Sequence, residues 1–284
     1  MKTQNKNLYD QSLNQLINSI NKSYGENTLF SHGMETDNIP VFPSGSLIID
    51  KLIGVDGYPI NKIIEIFGPE GSGKTTIALM AIKSAQNYFD KKVVFIDAEH
   101  ALDIKYARKI GLSVDDLILS QPGSGDDAIN IIEQMILSNL FSLIVVDSVA
   151  ALVPKSEIDG VNEHGLASHA RMMSQGLRKI NSALSKSDTS IIFLNQVRDK
   201  VGILFGPKET TTGGRALKFF ASLRIEVRRE SYIKDNNGQN IGIKSKIKIV
   251  KNKVAPPFNY DFISIYFNSG FMKELEIIEY AIKK

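Results

Sequence analysis

Nine residues, GPEGSGKTT at positions 68–76, constrain this chain more than any other stretch. They satisfy the spacing G-x-x-x-x-G-K-[ST] with Gly68, Gly73, Lys74 and Thr75. An apolar run, Ile63–Phe67, precedes them, and a helical pattern follows. A strand that turns through glycines into a helix has a physical purpose. Glycines let consecutive backbone N–H groups curl around phosphate oxygens, and the helix N-terminus adds the positive end of its dipole. Lysine at this position sets a point charge on the β- and γ-phosphates, and the hydroxyl beside it ligates Mg²⁺. Pro69, Glu70, Gly71, Ser72 and Thr76 complete a cradle for a nucleoside triphosphate.

Such a loop needs a sheet to carry it. Between residues 62 and 197 short apolar runs alternate with longer helical patterns. Strands are expected at Ile63–Phe67, Val93–Asp97, Leu117–Ser120, Leu143–Asp147 and Ile191–Asn195, with helices near 74–89, 126–139 and 166–186. Continuous apolar strands separated by helices indicate an α/β fold, a mainly parallel sheet flanked by helices on both faces. Beyond Gly214 the apolar residues alternate with polar ones, and Asn237-Gly238 marks a hairpin, so antiparallel strands are expected at the C-terminal edge. Residues 8–25 read as an amphipathic helix with Leu13, Leu16, Ile17, Ile20 and Tyr24 on one stripe. A polar linker to Ser46 follows. The helix either folds back on its own core or docks on a neighbouring subunit.

Two carboxylates lie where ligands of open α/β sheets bind, at the C-terminal ends of strands. Asp147 closes Leu143–Asp147 and is the natural Mg²⁺ partner of Thr75, although an Asp at a strand end also caps turns. Glu99, in FIDAEH, either orients an attacking water or is a solvated loop residue. The chain has no cysteine, which excludes a disulfide scaffold, a thiolate zinc site and a cysteine nucleophile. Its longest apolar run, Ile77 to Ile82, is too short to span a membrane, and no secretory signal opens the chain, so a cytoplasmic protein is expected. Charge is uneven: Gln196 to Lys253 holds 14 Lys or Arg against 5 Asp or Glu. That is either a polyanion-binding face or a solvated lysine-rich surface.

GPEGSGKTT, FIDAEHALD, YARKIG, LIVVDSVAALVPKSEI, RMMSQGLRK, NQVRDKVGILFG, ETTTGGRALKFF and IVKNKVAPPF, in this order, resemble the bacterial RecA recombinase family from about Leu8 to Gly270. The resemblance implies a P-loop NTPase, RecA-like core at 38–270, an N-terminal oligomerisation helix and linker at 1–37, and a short tail at 271–284. It implies a homo-oligomeric helical filament on single-stranded DNA that pairs with homologous double-stranded DNA, and ATP with Mg²⁺ at the interfaces between subunits. Lys74, Thr75 and Asp147 would hold triphosphate and metal, and Glu99 would activate water. Asp103, Tyr106 and Tyr266 match adenine contacts. Gln196 matches the sensor of the γ-phosphate. Lys251 and Lys253, which from position alone read as an exposed strand end, match a pair that reaches a neighbour's phosphates. Phe219 matches an interface aromatic. DNA contacts fall to Arg171, Ser174 and Arg178 after a first loop at 160–165, and to Arg198, Val201, Gly213, Gly214 and Arg215 in a second loop at 197–215.

Some residues depart from the family pattern. The first loop is a residue short and carries Glu163, and Asp199 is acidic in the second. The tail leaves no room for the family's C-terminal domain. Ser231 and Lys246 replace the Gly and Arg found where cleavage of a LexA-type repressor is supported. The rivals are a repair or motor ATPase of RadA or hexameric-helicase type, against which the absent cysteine zinc motif counts, and a paralogue that joins filaments without hydrolysing ATP.

Overall fold

β-branched and aromatic runs form the strands at the centre of the molecule, and the longer amphipathic stretches between them form helices. The computed structural model describes residues 2–25, 28–29, 39–160, 165–199 and 209–283. They divide into two units, residues 1–38 and 39–284. In the first, α1 (Lys2–Tyr24) begins six residues before the stretch that marks it in the sequence, because KTQNKN supplies no apolar periodicity. After it, the Asn21 side chain brackets Leu29, donating to its carbonyl at 2.9 Å and accepting from its N–H at 2.8 Å.

The second unit opens with β1 (Val41–Phe42), α2 (Leu47–Ile53) and β2 (Tyr58–Pro59). Among the described residues of the polar stretch up to Ser46, β1 is the one strand. β1 pairs antiparallel with β2, and Phe42 and Tyr58 are fully buried. Ser46 caps α2 by accepting from Ile49 N at 3.2 Å. Pairs this short carry no period that a sequence reading can detect.

The core then runs β3 (Ile63–Gly68), α3 (Lys74–Tyr88), β4 (Lys92–Asp97), α4 (Ile104–Lys109), β5 (Leu117–Ser120), α5 (Gly125–Ser138) and β6 (Phe141–Asp147). After a 3₁₀ turn at Val149–Ala151 come α6 (Lys155–Ile158), α7 (Gly165–Leu184), β7 (Ser190–Asp199), β8 (Glu209–Thr211) and α8 (Ala216–Phe220). β9 (Leu223–Lys234), β10 (Asn240–Asn252), β11 (Tyr260–Tyr266) and α9 (Lys273–Lys283) complete it. The sheet order is β11-β10-β9-β3-β7-β6-β4-β5, with β8 added on β7. Every pair from β9 to β5 is parallel, and β10 and β11 extend the edge antiparallel.

Successive strand residues point to opposite faces, so each strand feeds two cores. Ile64, Ile66, Val93, Phe95, Val145 and Ile192 pack with α2 and α3 on one face. Ile63, Val94, Ile96, Ile144, Val146 and Phe193 pack with α5 and α7 on the other. Full burial on both faces explains why these strands read as continuous apolar runs. At the C-terminal end, buried Glu276 of α9 accepts from Ser46 Oγ at 2.7 Å and from Leu47 N at 2.8 Å, at the start of α2.

Candidate active site and nucleic-acid interface

β3 delivers the loop at 68–76 to the C-terminal edge of the sheet, and α3 begins where the loop ends. Gly73 caps α3 at φ 97°, and a Cβ there would lie 2.4 Å from Ile265 Cδ1 of β11. Both the left-handed backbone and the close approach demand glycine. The loop is seated on the antiparallel edge, where Ser245 Oγ donates to Ser72 O at 2.9 Å. Lys74 folds back so that Nζ donates to Pro69 O at 2.8 Å. Burial pulls its pKa below the ordinary lysine value, and Asp147, Glu99 and Glu70 offset this in part. Among the described residues it makes no ion pair.

Thr75 Oγ1 donates to Asp147 Oδ2 at 3.0 Å, joining the first turn of α3 to the end of β6. Burial pushes the Asp147 carboxyl up to about 6; Glu99 and Asp97 add to this, while the Thr75 bond and Lys74 oppose it. Crowded, desolvated carboxylates make a place short of positive charge. A hydroxyl and a carboxylate are hard oxygen donors, and Mg²⁺ fills the rest of its shell with water and phosphate, so these residues fit that ion. Among the described residues no cluster of three His, Cys, Asp or Glu side chains forms.

Glu99 stands two residues beyond β4. Its Oε1 accepts from the Ser148 hydroxyl and from Gln196 Nε2 at 3.4 Å. Gln196 pairs in register with Gly68, so it lies beside the start of the loop. It sits inside a strand, not at the end of one. β7 runs on to Asp199 because β8 returns alongside it, pairing Val197 with Thr211 and Asp199 with Glu209. The described ends of the second loop, 197–199 and 209–211, therefore pair as antiparallel arms, and their polar residues hide the pairing from any hydrophobic period. Val201 lies outside the described residues, as do Glu163 and most of the first loop.

Asp103 caps α4 by accepting from Tyr106 N at 2.9 Å, and Tyr106 Oη hydrogen-bonds Thr76 Oγ1 at 3.0 Å. The tyrosine thus flanks the start of α3. Tyr266 ends β11, its N–H donating to Gly270 O at 2.9 Å. The turn after it is tied to α4 by Lys109 Nζ, which donates to Asn268 Oδ1 at 2.7 Å.

Arg171, Ser174 and Arg178 share one face of α7, with Arg178 Nη2 donating to Ser174 Oγ at 3.3 Å. The returning arm of the hairpin reaches the same helix. A Cβ on Gly213, whose φ is 88°, would lie 3.0 Å from Val149 Cγ1, and one on Gly214 3.2 Å from Ala170 Cβ. His169 hydrogen-bonds Val149 O at 3.1 Å through Nε2. So the turn after Asp147 and Ser148, the base of α7 and the glycines before Arg215 touch one another. Arg198 lies on the outgoing arm, in β7.

Lys251, Lys253 and Phe219 do not join the cradle. Lys251 pairs with Arg224, and Arg224 with Glu65, three residues before Gly68. At about 3.3 Å per residue this puts the lysine roughly 10 Å down the sheet and two strands across. Its Nζ donates to Lys218 O and Phe219 O, each at 2.8 Å. Lys253 N donates to Ser222 O, and Ser222 N donates to Ile63 O at the start of β3. Phe219 is 73% exposed.

A profile of the RecA N-terminal domain matches residues 11–272. Protein RecA of Mesoplasma florum is 50% identical over 285 residues, covering 99% of this chain and 84% of the relative. Protein RecA of Bacillus subtilis is 49% identical over 270 residues, with 94% and 77% covered. That of Porphyromonas gingivalis is 47% identical over 275 residues, with 96% and 80% covered. The chain belongs to the RecA family.

Within this RecA-family core, several residues that sequence reasoning passed over hold the selected ones in place. Asp97, 2% exposed, accepts from Ala101 N at 3.0 Å, Leu102 N at 3.3 Å and Gln121 Nε2 at 3.2 Å, and so fixes the segment that carries Glu99. Ser148 orients Glu99. Glu65 and Asn195 are wholly buried beneath the loop. An acid inside an otherwise apolar strand, as in IIEIF, is the signal that was available for Glu65, because buried charges occur where they are paired. Among the described residues no helix is long and apolar enough to cross a membrane.

Proposed function

We propose that this RecA-family chain is an ATP-dependent DNA recombinase. It assembles head to tail on single-stranded DNA, pairs that strand with homologous duplex and exchanges strands, and it hydrolyses ATP where subunits meet. One observation carries the reading: Gln196 lies beside the phosphate loop, hydrogen-bonded to Glu99, on a strand that continues straight into the hairpin bearing Arg198 and Arg215.

In this reading the backbone amides of the 68–76 loop and Lys74 bind the triphosphate. The penalty that burial sets on the Lys74 charge is offset when phosphate supplies the missing counter-charge. Thr75 and Asp147 would hold Mg²⁺, which when bound neutralises charge on the phosphate oxygens. Glu99, oriented by Ser148 and Gln196, takes the proton of a water attacking the γ-phosphate. Gln196 exchanges its long bond to Glu99 for the γ-phosphate and draws the hairpin arms with it. Asp103, Tyr106 and Tyr266 bound the adenine.

Lys251 and Lys253 lie too far from their own loop to reach its phosphates, so they serve the pocket of the next subunit. A heterologous interface of this kind repeats into a helix, with Phe219 exposed upon it. Arg171, Ser174, Arg178, Arg198, Arg215 and the amides of Gly213 and Gly214 neutralise DNA phosphates without reading sequence, and Val201 wedges between bases. Hydrolysis measured with and without single-stranded DNA tests the reading: strong stimulation is expected, and none would remove it.

A further inference from the structure

Beneath the phosphate loop lies a closed set of hydrogen bonds to which the steps above assign no part. Glu65, in the centre of β3, is 0% exposed, and so is Asn195, its neighbour on β7. Asn195 Nδ2 donates to Glu65 Oε1 at 2.9 Å and to Thr212 O at 2.9 Å. Asn195 Oδ1 accepts from Gln196 N at 2.9 Å. The second oxygen of Glu65 accepts from Arg224 Nε at 2.5 Å, and that guanidinium also lies 4.5 Å over the Phe67 ring.

Each partner removes one freedom from the next. A carboxylate only accepts, so Glu65 compels Asn195 to present its NH₂ to β3. This leaves the Asn195 oxygen for the Gln196 amide and the second N–H for the Thr212 carbonyl. A flipped Asn195 would lose all three bonds at once, inside the protein, where lost bonds cost most. Thr212 is the residue at which the chain leaves β8, immediately before Gly213 and Gly214. The β7–β8 ladder pairs Val197 with Thr211, and one step beyond it Thr212 N donates to Gln196 O at 3.4 Å, a long bond. Asn195 adds a shorter one to the Thr212 carbonyl, on the peptide that leads into Gly213 and Gly214.

We propose that Glu65 is a positioning residue that, through Asn195, locks the Gln196 backbone to the Thr212 carbonyl, so that movement of Gln196 is passed to the DNA-facing end of the hairpin. The inference rests on the recombinase reading. Glu65 touches neither nucleotide nor DNA in it, and its effect is read as coupling, not as affinity for either ligand alone.

The test uses the full chain and the exchanged pair Glu65→Gln/Asn195→Asp. Exchange keeps the net charge of the trio with Arg224 and lets the new amide on β3 donate to the new carboxylate on β7. That carboxylate can still accept from Gln196 N. The bond to Thr212 O is replaced by a carboxylate oxygen facing that carbonyl, which opens the tie, and Arg224 keeps a neutral acceptor on β3. Three quantities are measured: the melting temperature, the affinity for a non-hydrolysable ATP analogue, and the ratio of single-stranded DNA affinities with and without that analogue. The melting temperature should fall by a few degrees while the variant stays folded, and the affinity for the analogue should stay near that of the unmodified chain. The ratio should fall by about tenfold, equivalent to about 1.4 kcal/mol. A folded, nucleotide-binding exchange variant with an unchanged ratio overturns the proposal. If the variant does not fold, hydrogen exchange on the unmodified chain decides. Adding the analogue should slow exchange at Gln196 and at residues 209–215 together, and slowing at Gln196 alone overturns it. An unmodified chain whose DNA affinity ignores nucleotide would instead remove the recombinase reading, and this proposal with it.

Discussion

Replacing Asp147 with asparagine should stabilise the metal-free protein while disabling it. Burial lifts this carboxyl from its ordinary 3.8 to about 6, with Glu99 and Asp97 adding to the effect. The folded chain then holds the proton more tightly than the unfolded chain does. Its stabilising contribution is complete below about pH 4 and is lost as pH rises through about 6. Above that the ionised carboxylate costs the fold about 3 kcal/mol, from a displacement of about two pH units at roughly 1.4 kcal/mol each. The substituted amide carries no such cost, and its oxygen still accepts from the Thr75 hydroxyl. Urea unfolding in chelator should therefore find Asp147→Asn more stable at pH 7.5 by up to about 3 kcal/mol, with the two proteins converging near pH 4. With Mg²⁺ and an ATP analogue at about a hundred times its Kd, ligand binding should add about 2.7 kcal/mol to the unmodified protein only. Equal stability at pH 7.5 in chelator, or a difference that ignores pH, would refute the argument.

Three other substitutions bear on the account. Lys74→Ala should abolish triphosphate binding and, with it, the dependence of DNA affinity on ATP, as read by anisotropy titration. Gly73→Ala meets both the left-handed backbone and the 2.4 Å approach to Ile265; thermal melts should show a loss of about 1–3 kcal/mol, and nucleotide binding should fail. Removing Arg198 and Arg215 together should flatten the slope of log DNA affinity against log salt by about 1.4, at about 0.7 for each single-strand phosphate contact.

How much of this was legible beforehand follows from where the information resides. The parallel sheet declared itself because strands buried on both faces, such as Leu143 to Val146, are apolar without interruption. The phosphate loop declared itself because its glycines and lysine are local in sequence and each has a separate physical task. Tyr106 bonded to Thr76, by contrast, brings together residues thirty positions apart, and Asn195 bonded to Glu65 spans 130. Bonds of that kind have no local pattern. β1, β2 and β8 are two or three residues long, too short to carry a hydrophobic period, so neither the β1–β2 pair nor the β7–β8 pair was legible. Lys251 and Lys253 were legible only through the resemblance, because the use proposed for them depends on a second copy of the chain.

That dependence is the centre of the account, and mixing two inactive proteins tests it. Glu99→Gln is dead in its own pocket, and Lys251→Ala/Lys253→Ala is dead as a donor to its neighbour. In a head-to-tail filament each interface draws its pocket and its donor face independently, so an equimolar mixture holds about a quarter of interfaces with both faces intact. DNA-stimulated ATP hydrolysis should return to about that fraction of the unmodified rate. A mixture that coassembles on DNA and hydrolyses nothing would contradict the shared site, and the lysines would have to act within their own subunit or not at all.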